Sequence, residues 1–269
     1  VTVLSSEFTR IPAGSLTSMF NGITEGTPVV FLHGFSDMGE CWNAFVDRLE
    51  LETPVYLVDA PSHGYSSFDP GRGFTEQLVS RTIEFIRTLG KPVVLVGHSM
   101  GALESMYIAG DAPELIKAIV LEDPPMAADL TPWREPTLIE GLFGFLVDVR
   151  NQDAASVQAQ LLASHPHWPT AELEPWVRSK QLADPAMRER FDIHREPMET
   201  TLARVTCPAL LLTGDPAAGA IITAATVAWA LPLCPPLEVS HFPGSGHNIR
   251  RNAPDAVASL MRTFLESHL

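Results

Sequence analysis

Ser99 stands in Gly97-His98-Ser99-Met100-Gly101, a G-x-S-x-G pentapeptide between the apolar run Val93-Val94-Leu95-Val96 and a segment of helical character. A serine on a sharp turn from a buried strand into a helix is set up as a nucleophile. Glycine at 97 and 101 suits that turn, because a side chain at either position would collide with a neighbouring strand or helix. The helix opening after Ser99 aims free N–H groups and a partial positive charge at a developing anion. A free hydroxyl is a poor nucleophile at neutral pH, so Ser99 needs a base. Of nine histidines, His247 is best placed, in the small-residue loop Gly244-Ser245-Gly246-His247-Asn248. The base in turn needs a carboxylate to fix its tautomer and stabilise its cation. Three residues compete. Asp123 ends an apolar run and is locked by Pro124 and Pro125, and Asp215 follows the run 209–212. Glu122 faces the other side of its strand from its neighbour. Asp123 is preferred and Asp215 kept as the alternative acid. A tetrahedral oxyanion needs two fixed donors. Met100 N–H is one, and Phe35 N–H, after His33-Gly34, is the other.

The rest of the chain must hold these groups together. Short apolar runs at 29–32, 55–58, 93–96, 118–121, 209–212 and 237–242 read as strands. Amphipathic segments at 41–49, 74–89, 102–109 and 222–231 read as helices, with a C-terminal helix N-capped by Asn252. Residues 1–21 suggest an opening hairpin. Strand and helix alternating at this rhythm mean βαβ units, hence an α/β fold with a mostly parallel sheet flanked by helices. Ligands of such sheets bind beyond the carboxyl ends of the strands, where each candidate loop lies. From 126 to about 200 the alternation stops, and helical segments are expected at 138–149, 154–163 and 171–182. This stretch reads as a helical cap inserted after the sixth strand, leaving 1–125 and 201–269 as the core. Its Trp133, Phe143, Trp168 and Trp176 are candidates for an apolar substrate pocket, although such residues more often form a cap's own core.

Bulk properties narrow the partners. A net charge of −14 over 269 residues argues against nucleic acid and anionic membrane surfaces. No apolar run approaches the length of a membrane span. Cys41, Cys207 and Cys234 are scattered, which suggests neither a disulfide framework nor a zinc site and fits a reducing, cytoplasmic setting. No leader segment is visible, and no metal is expected. His165-Pro166-His167 resembles a metal pair but has no third ligand nearby. Arg250-Arg251 is expected to be a solvated helix entrance, with steering of an acidic substrate as the functional alternative. A small-molecule substrate is the expected partner, and monomer and homodimer both remain open.

With strand-His33-Gly34-Phe35, Asp59…His63-Gly64-Tyr65-Ser66, the Ser99 pentapeptide and the Gly-His247 loop in this order, nearly the whole chain resembles the α/β-hydrolase superfamily. The resemblance implies an eight-stranded sheet, a helical cap and a Ser–acid–His triad needing no cofactor. It supports Asp123, since members carrying the acid after the sixth strand have it there. Where the acid follows the seventh strand, it usually stands about three residues beyond a glycine, and Ala217 occupies that place. Ser62 stands where a glycine is common. His33, His63 and His98 match structural positions. The expected activity is hydrolysis of an ester, lactone or amide of a small, largely apolar molecule through an acyl-enzyme. Carbon–carbon bond hydrolysis, cofactor-free His–Asp dyad chemistry (oxygenation or lyase) and a non-catalytic ligand receptor are the alternatives.

Overall fold

The run Val93–His98 forms a strand whose every side chain is buried. Val94 and Val96 pack into one core and Val93 and Leu95 into another, so a helical layer covers each face of the sheet. The computed structural model describes residues 8–193 and 195–269, and of Trp133 and Arg134 the backbone alone.

Eight strands make one sheet: β1 (Thr9–Ala13), β2 (Leu16–Phe20), β3 (Val29–Leu32), β4 (Val55–Asp59), β5 (Val93–His98), β6 (Ile116–Glu122), β7 (Ala209–Thr213) and β8 (Leu237–His241). Their order is β1-β2-β4-β3-β5-β6-β7-β8. β1 and β2 form the expected hairpin, which meets β4 antiparallel, and every later pairing is parallel. The expected mostly parallel α/β sheet is therefore what forms; residues 1–7 of the opening stretch lie outside the described residues.

Helices α1 (Asn43–Leu49) and α2 (Phe74–Thr88) flank β4, and α3 (Met100–Asp111) follows β5. Between β6 and β7 come α4 (Pro136–Arg150), α5 (Ala154–Ser164), α6 (Leu173–Leu182) and α7 (Met198–Arg204), with short 3-10 turns and no strand among the described residues. After β7 come α8 (Ala224–Ala230), a single-turn α9 (Ile249–Asn252) and α10 (Pro254–Glu266). Contrary to expectation, Asn252 does not cap the C-terminal helix; it is the last residue of α9. The cap position of α10 is Ala253, because Pro254 lacks an N–H and suits the first helical residue. No helix among the described residues is long and apolar enough to cross a membrane.

α3 buries ten of its residues, from Met100 to Ala109, and Glu104 is among them. Its Oε1 has no hydrogen-bond partner, and the nearby Thr82 hydroxyl favours the charged form less than burial disfavours it. Burial pushes the Glu104 carboxyl from its ordinary 4.5 up to about 8. The native state thus keeps a proton that the unfolded chain releases above about pH 4.5. This contribution to stability is complete below that pH and is lost as pH rises toward about 8, at about 1.4 kcal/mol per pH unit. Glu104→Gln should therefore stabilise the protein increasingly from pH 5 to pH 8. Urea unfolding at both pH values checks this; an advantage that is constant or shrinks with pH contradicts it.

Candidate active site

The turn after β5 is as tight as the pentapeptide requires. Ser99 has φ 51° and ψ −113°, a backbone that L-residues rarely adopt. A Cβ on Gly97 would lie 2.3 Å from Gly101 O, and one on Gly101 would lie 2.2 Å from Leu32 O. Both glycines are thus required by close approach, and the fold holds Ser99 in a strained conformation.

His247 follows β8, and its ring shares a cavity wall with Ser99. Its Nδ1 lies 2.7 Å from Asp123 Oδ2. Asp123 is fully buried after β6; Oδ2 also accepts from Ile221 N (2.8 Å), and Oδ1 from Ile222 N (3.0 Å). A carboxylate only accepts, so Nδ1 carries the proton of this bond and Nε2 is the ring nitrogen left for the cavity. Asp215 is elsewhere: 40% exposed, it accepts from His241 Nε2 (3.0 Å) and Gly244 N (2.6 Å) and ties down a surface loop. Glu122 faces away from Asp123, as strand alternation requires, and its carboxylate accepts from Arg250 N (2.8 Å) and Nη1 (2.9 Å).

The loop after β3 lies against Ser99. A Cβ on Gly34 would come within 3.3 Å of Ser99 Cβ and 2.7 Å of His98 Nδ1. Turn hydrogen bonds engage amides that follow the expected oxyanion donors. Ser36 N donates to His63 Nε2 (3.1 Å), Asp37 N to Gly34 O (3.0 Å), and Ala102 N and Leu103 N to Ser99 O (3.1 Å each). Phe35 N–H and Met100 N–H are left out of these bonds.

Three buried histidines brace the frame. His33 links Ala60 N (2.9 Å) to Gly34 O (2.8 Å), and His63 links Ser36 N to Pro61 O (2.9 Å). His98 Nε2 sits 3.1 Å from His247 O, so the residue before the serine anchors the main chain of the other histidine. Burial lowers all three pKa values, that of His63 to about 3 and that of His98 well below its usual range, so they are neutral at physiological pH. Ser62 adopts φ 69° where glycine would be at ease. In return its Oγ donates to Asp184 O (3.1 Å) and its carbonyl accepts from Asp184 N (2.8 Å), joining this turn to the helical insert.

Arg250 and Arg251 overturn the solvated expectation, since both are buried. Arg250 pairs with Glu122 and lies 3.8 Å from Asp37; Arg251 bonds Asp37 (2.9 Å) and Glu172 (2.5 Å), and Lys180 bonds the other oxygen of Asp37. Three cations thus meet three anions inside the protein. Each cation also lies over an indole: Arg250 on Trp42 at 3.9 Å, Arg251 on Trp168 at 4.9 Å and Lys180 on Trp176 at 4.3 Å. Those faces offset part of the loss of water. The network joins the loop of Phe35, the segment after His247, the residue before Asp123 and the insert. No motif announces it, because its members come from five separate stretches of chain.

The cavity holds about 390 Å³. Its apolar walls include Leu138, Leu142, Phe145, Trp176, Phe191 and Ile221. Of the candidate pocket residues, Trp176 lines it. Phe143 is instead buried in the small core around Phe35 and Met100, and Trp168 lines a neighbouring chamber. The side chain of Trp133 lies outside the described residues. His165 stacks on Trp168, and no group of residues able to hold a metal ion occurs among the described residues. Cys41 is buried, its thiol pushed up to about 11.

Comparison with known proteins extends this picture. The chain is 26% identical over 278 residues to 2-(acetamidomethylene)succinate hydrolase of Mesorhizobium japonicum, covering 96% of this chain and 95% of that protein. It is 24% identical over 254 residues to N-formylmaleamate deformylase of Pseudomonas putida, covering 91% of each. The crystal structure of E-2-(acetamidomethylene)succinate hydrolase superposes with a TM-score of 0.77 at 24% identity, over 97% of this chain and 99% of that one. The family model for the alpha/beta hydrolase family matches residues 29–260. From the strained serine turn to the histidine loop, the chain belongs to the alpha/beta hydrolase family and is an enzyme of the hydrolase class.

Proposed function

We propose that this hydrolase cleaves an ester, lactone or amide of a small, largely apolar molecule through an acyl-enzyme. The observation that carries the reading is the Asp123–His247 pair at 2.7 Å, opening onto the same cavity as Ser99. Ser99 Oγ attacks the substrate carbonyl while His247 Nε2 takes its proton. Phe35 N–H and Met100 N–H hold the tetrahedral oxyanion, and the positive end of α3 lies behind it. Collapse expels the leaving group, which receives the proton from His247. A water deprotonated by the same imidazole then releases the acid and restores Ser99. Asp123 holds the tautomer and stabilises the imidazolium. Residues 126–200 act as a cap over the carboxyl ends of the strands, on a core made of 1–125 and 201–269.

Lys180 and Arg251 face the cavity, but their charges are already met by Asp37 and Glu172. The polar side of the cavity is therefore close to neutral, which supports an uncharged substrate over the carboxylate-bearing molecules named for the two relatives. Those names support amide cleavage beside ester cleavage. The test is a fluorophosphonate probe followed by intact mass and peptide mapping, with a panel of neutral and acidic esters and amides. One adduct on Ser99 and turnover of neutral substrates are expected. No adduct and no turnover across the panel would end this reading.

A further inference from the structure

The core of the helical insert is split. Val149, Val157 and Val177 form one small cluster, and Leu161, Trp168 and Leu173 form another; Trp176 packs against both. Between α4, α5 and α6 lies a second chamber of about 320 Å³. Its apolar wall consists of Phe145, Val149, Val157, Leu161, Trp168 and Trp176. Exposed Ser164, His165 and Phe145 leave the mouth of this chamber open to solvent, so an apolar guest would remove its wall from water. The buried Trp168 indole N–H also has no acceptor. Exposed Gln152 and Gln160 line this chamber too, joined by a 3.2 Å hydrogen bond.

This chamber shares Phe145, Trp176 and Asn248 with the cavity that contains Ser99. Asn248 directly follows His247, the imidazole that returns a proton to the departing atom. Lys180 lies over the face of Trp176, and Asn248 accepts from Arg251 Nη1 at 2.6 Å, so the shared wall is held by the buried ion network.

We propose that the chamber in the insert is the leaving-group subsite: it receives the alkyl or aryl portion of the substrate's alcohol or amine, while the acyl portion stays beside Ser99. The proposal rests on the hydrolase reading above and assigns the side from which the chain selects its substrates. Trp176 is then the specificity-determining partition between the two spaces.

The experiment compares two ester series by pH-stat: acetates of ethanol through hexanol, and methyl esters of acetic through hexanoic acid. Each methylene of the alcohol should raise kcat/KM about fourfold, the equivalent of about 0.8 kcal/mol of burial. Val157→Phe, which fills the chamber, should lower the hexyl-to-ethyl acetate ratio at least tenfold and leave the slope of the acyl series as in the wild type. Val149→Phe fills it from the opposite helix if the first variant folds poorly. Leu162→Ala, on the exposed side of α5, controls for disturbance of that helix and should not move the ratio. Tryptophan fluorescence gives a readout free of turnover: n-hexanol should shift the wild-type emission saturably, and Val157→Phe should abolish the shift. A flat alcohol series in an enzyme that hydrolyses ethyl acetate, or loss of acyl rather than alcohol selectivity in Val157→Phe, overturns the assignment. Absence of turnover on both ester series, with a saturable hexanol shift retained, would overturn the ester-cleaving reading on which the assignment rests and, with it, the leaving-group role of the chamber.

Discussion

Ser99→Ala is expected to lower kcat/KM on any substrate of this enzyme by about ten-thousandfold or more. That loss equals at least 5 kcal/mol of transition-state stabilisation. In the proposed mechanism alanine removes the attacking atom while leaving the turn, the two amides and the imidazole in place. Residual turnover from oriented binding and the oxyanion donors is expected, so the rate should fall well short of wild type without reaching that of water. The variant should also lose its fluorophosphonate adduct while keeping its melting temperature within a few degrees. Retention of full activity in Ser99→Ala, with loss in His247→Ala, would instead mean that the imidazole and its carboxylate work without the hydroxyl. The dyad chemistry raised by the sequence would then be the better account.

The second large effect separates two aspartates. Asp123→Asn should reduce kcat by about ten-thousandfold, because an amide can present its NH2 to Nδ1 and favour the tautomer that leaves no lone pair on Nε2. Asn at this position also faces the amides of Ile221 and Ile222, which need acceptors, so some stability should be lost as well. Asp215→Asn should change kcat no more than about threefold, since its carboxylate serves the loop of His241 and Gly244. Steady-state kinetics of both variants, each with a melting curve, decide the matter. A larger loss in Asp215→Asn than in Asp123→Asn would refute the assignment.

The serine turn and the carboxylate beside His247 differ in how local their determinants are. Ser99 is legible because local chemistry demands its neighbours: a strand with both faces buried needs β-branched residues, and the tight turn tolerates nothing beyond hydrogen at 97 and 101. The alternation of short apolar runs with amphipathic segments specifies βαβ units in the same local way, and the parallel sheet follows. The acid is less legible. Both Asp123 and Asp215 end strands next to turn-forming residues, so the sequence could rank them by the family resemblance but not measure either against His247.

The order of residues along this chain therefore determined the α/β sheet and the serine turn, because each depends on periodicity or on neighbours within a few positions, and it offered His247 and a short choice of carboxylates as candidate partners. Folding alone brought Asp123 to His247, stripped Arg250 and Arg251 of water, and linked them to Asp37, Glu172 and Lys180. An adjacent arginine pair reads as solvated by default, since burying such charge is costly unless opposite charges arrive from elsewhere. Here they arrive from 79, 128 and 214 positions away. The second chamber depends in the same way on three helices failing to fill the space between them, a property of packing that no stretch of sequence carries by itself.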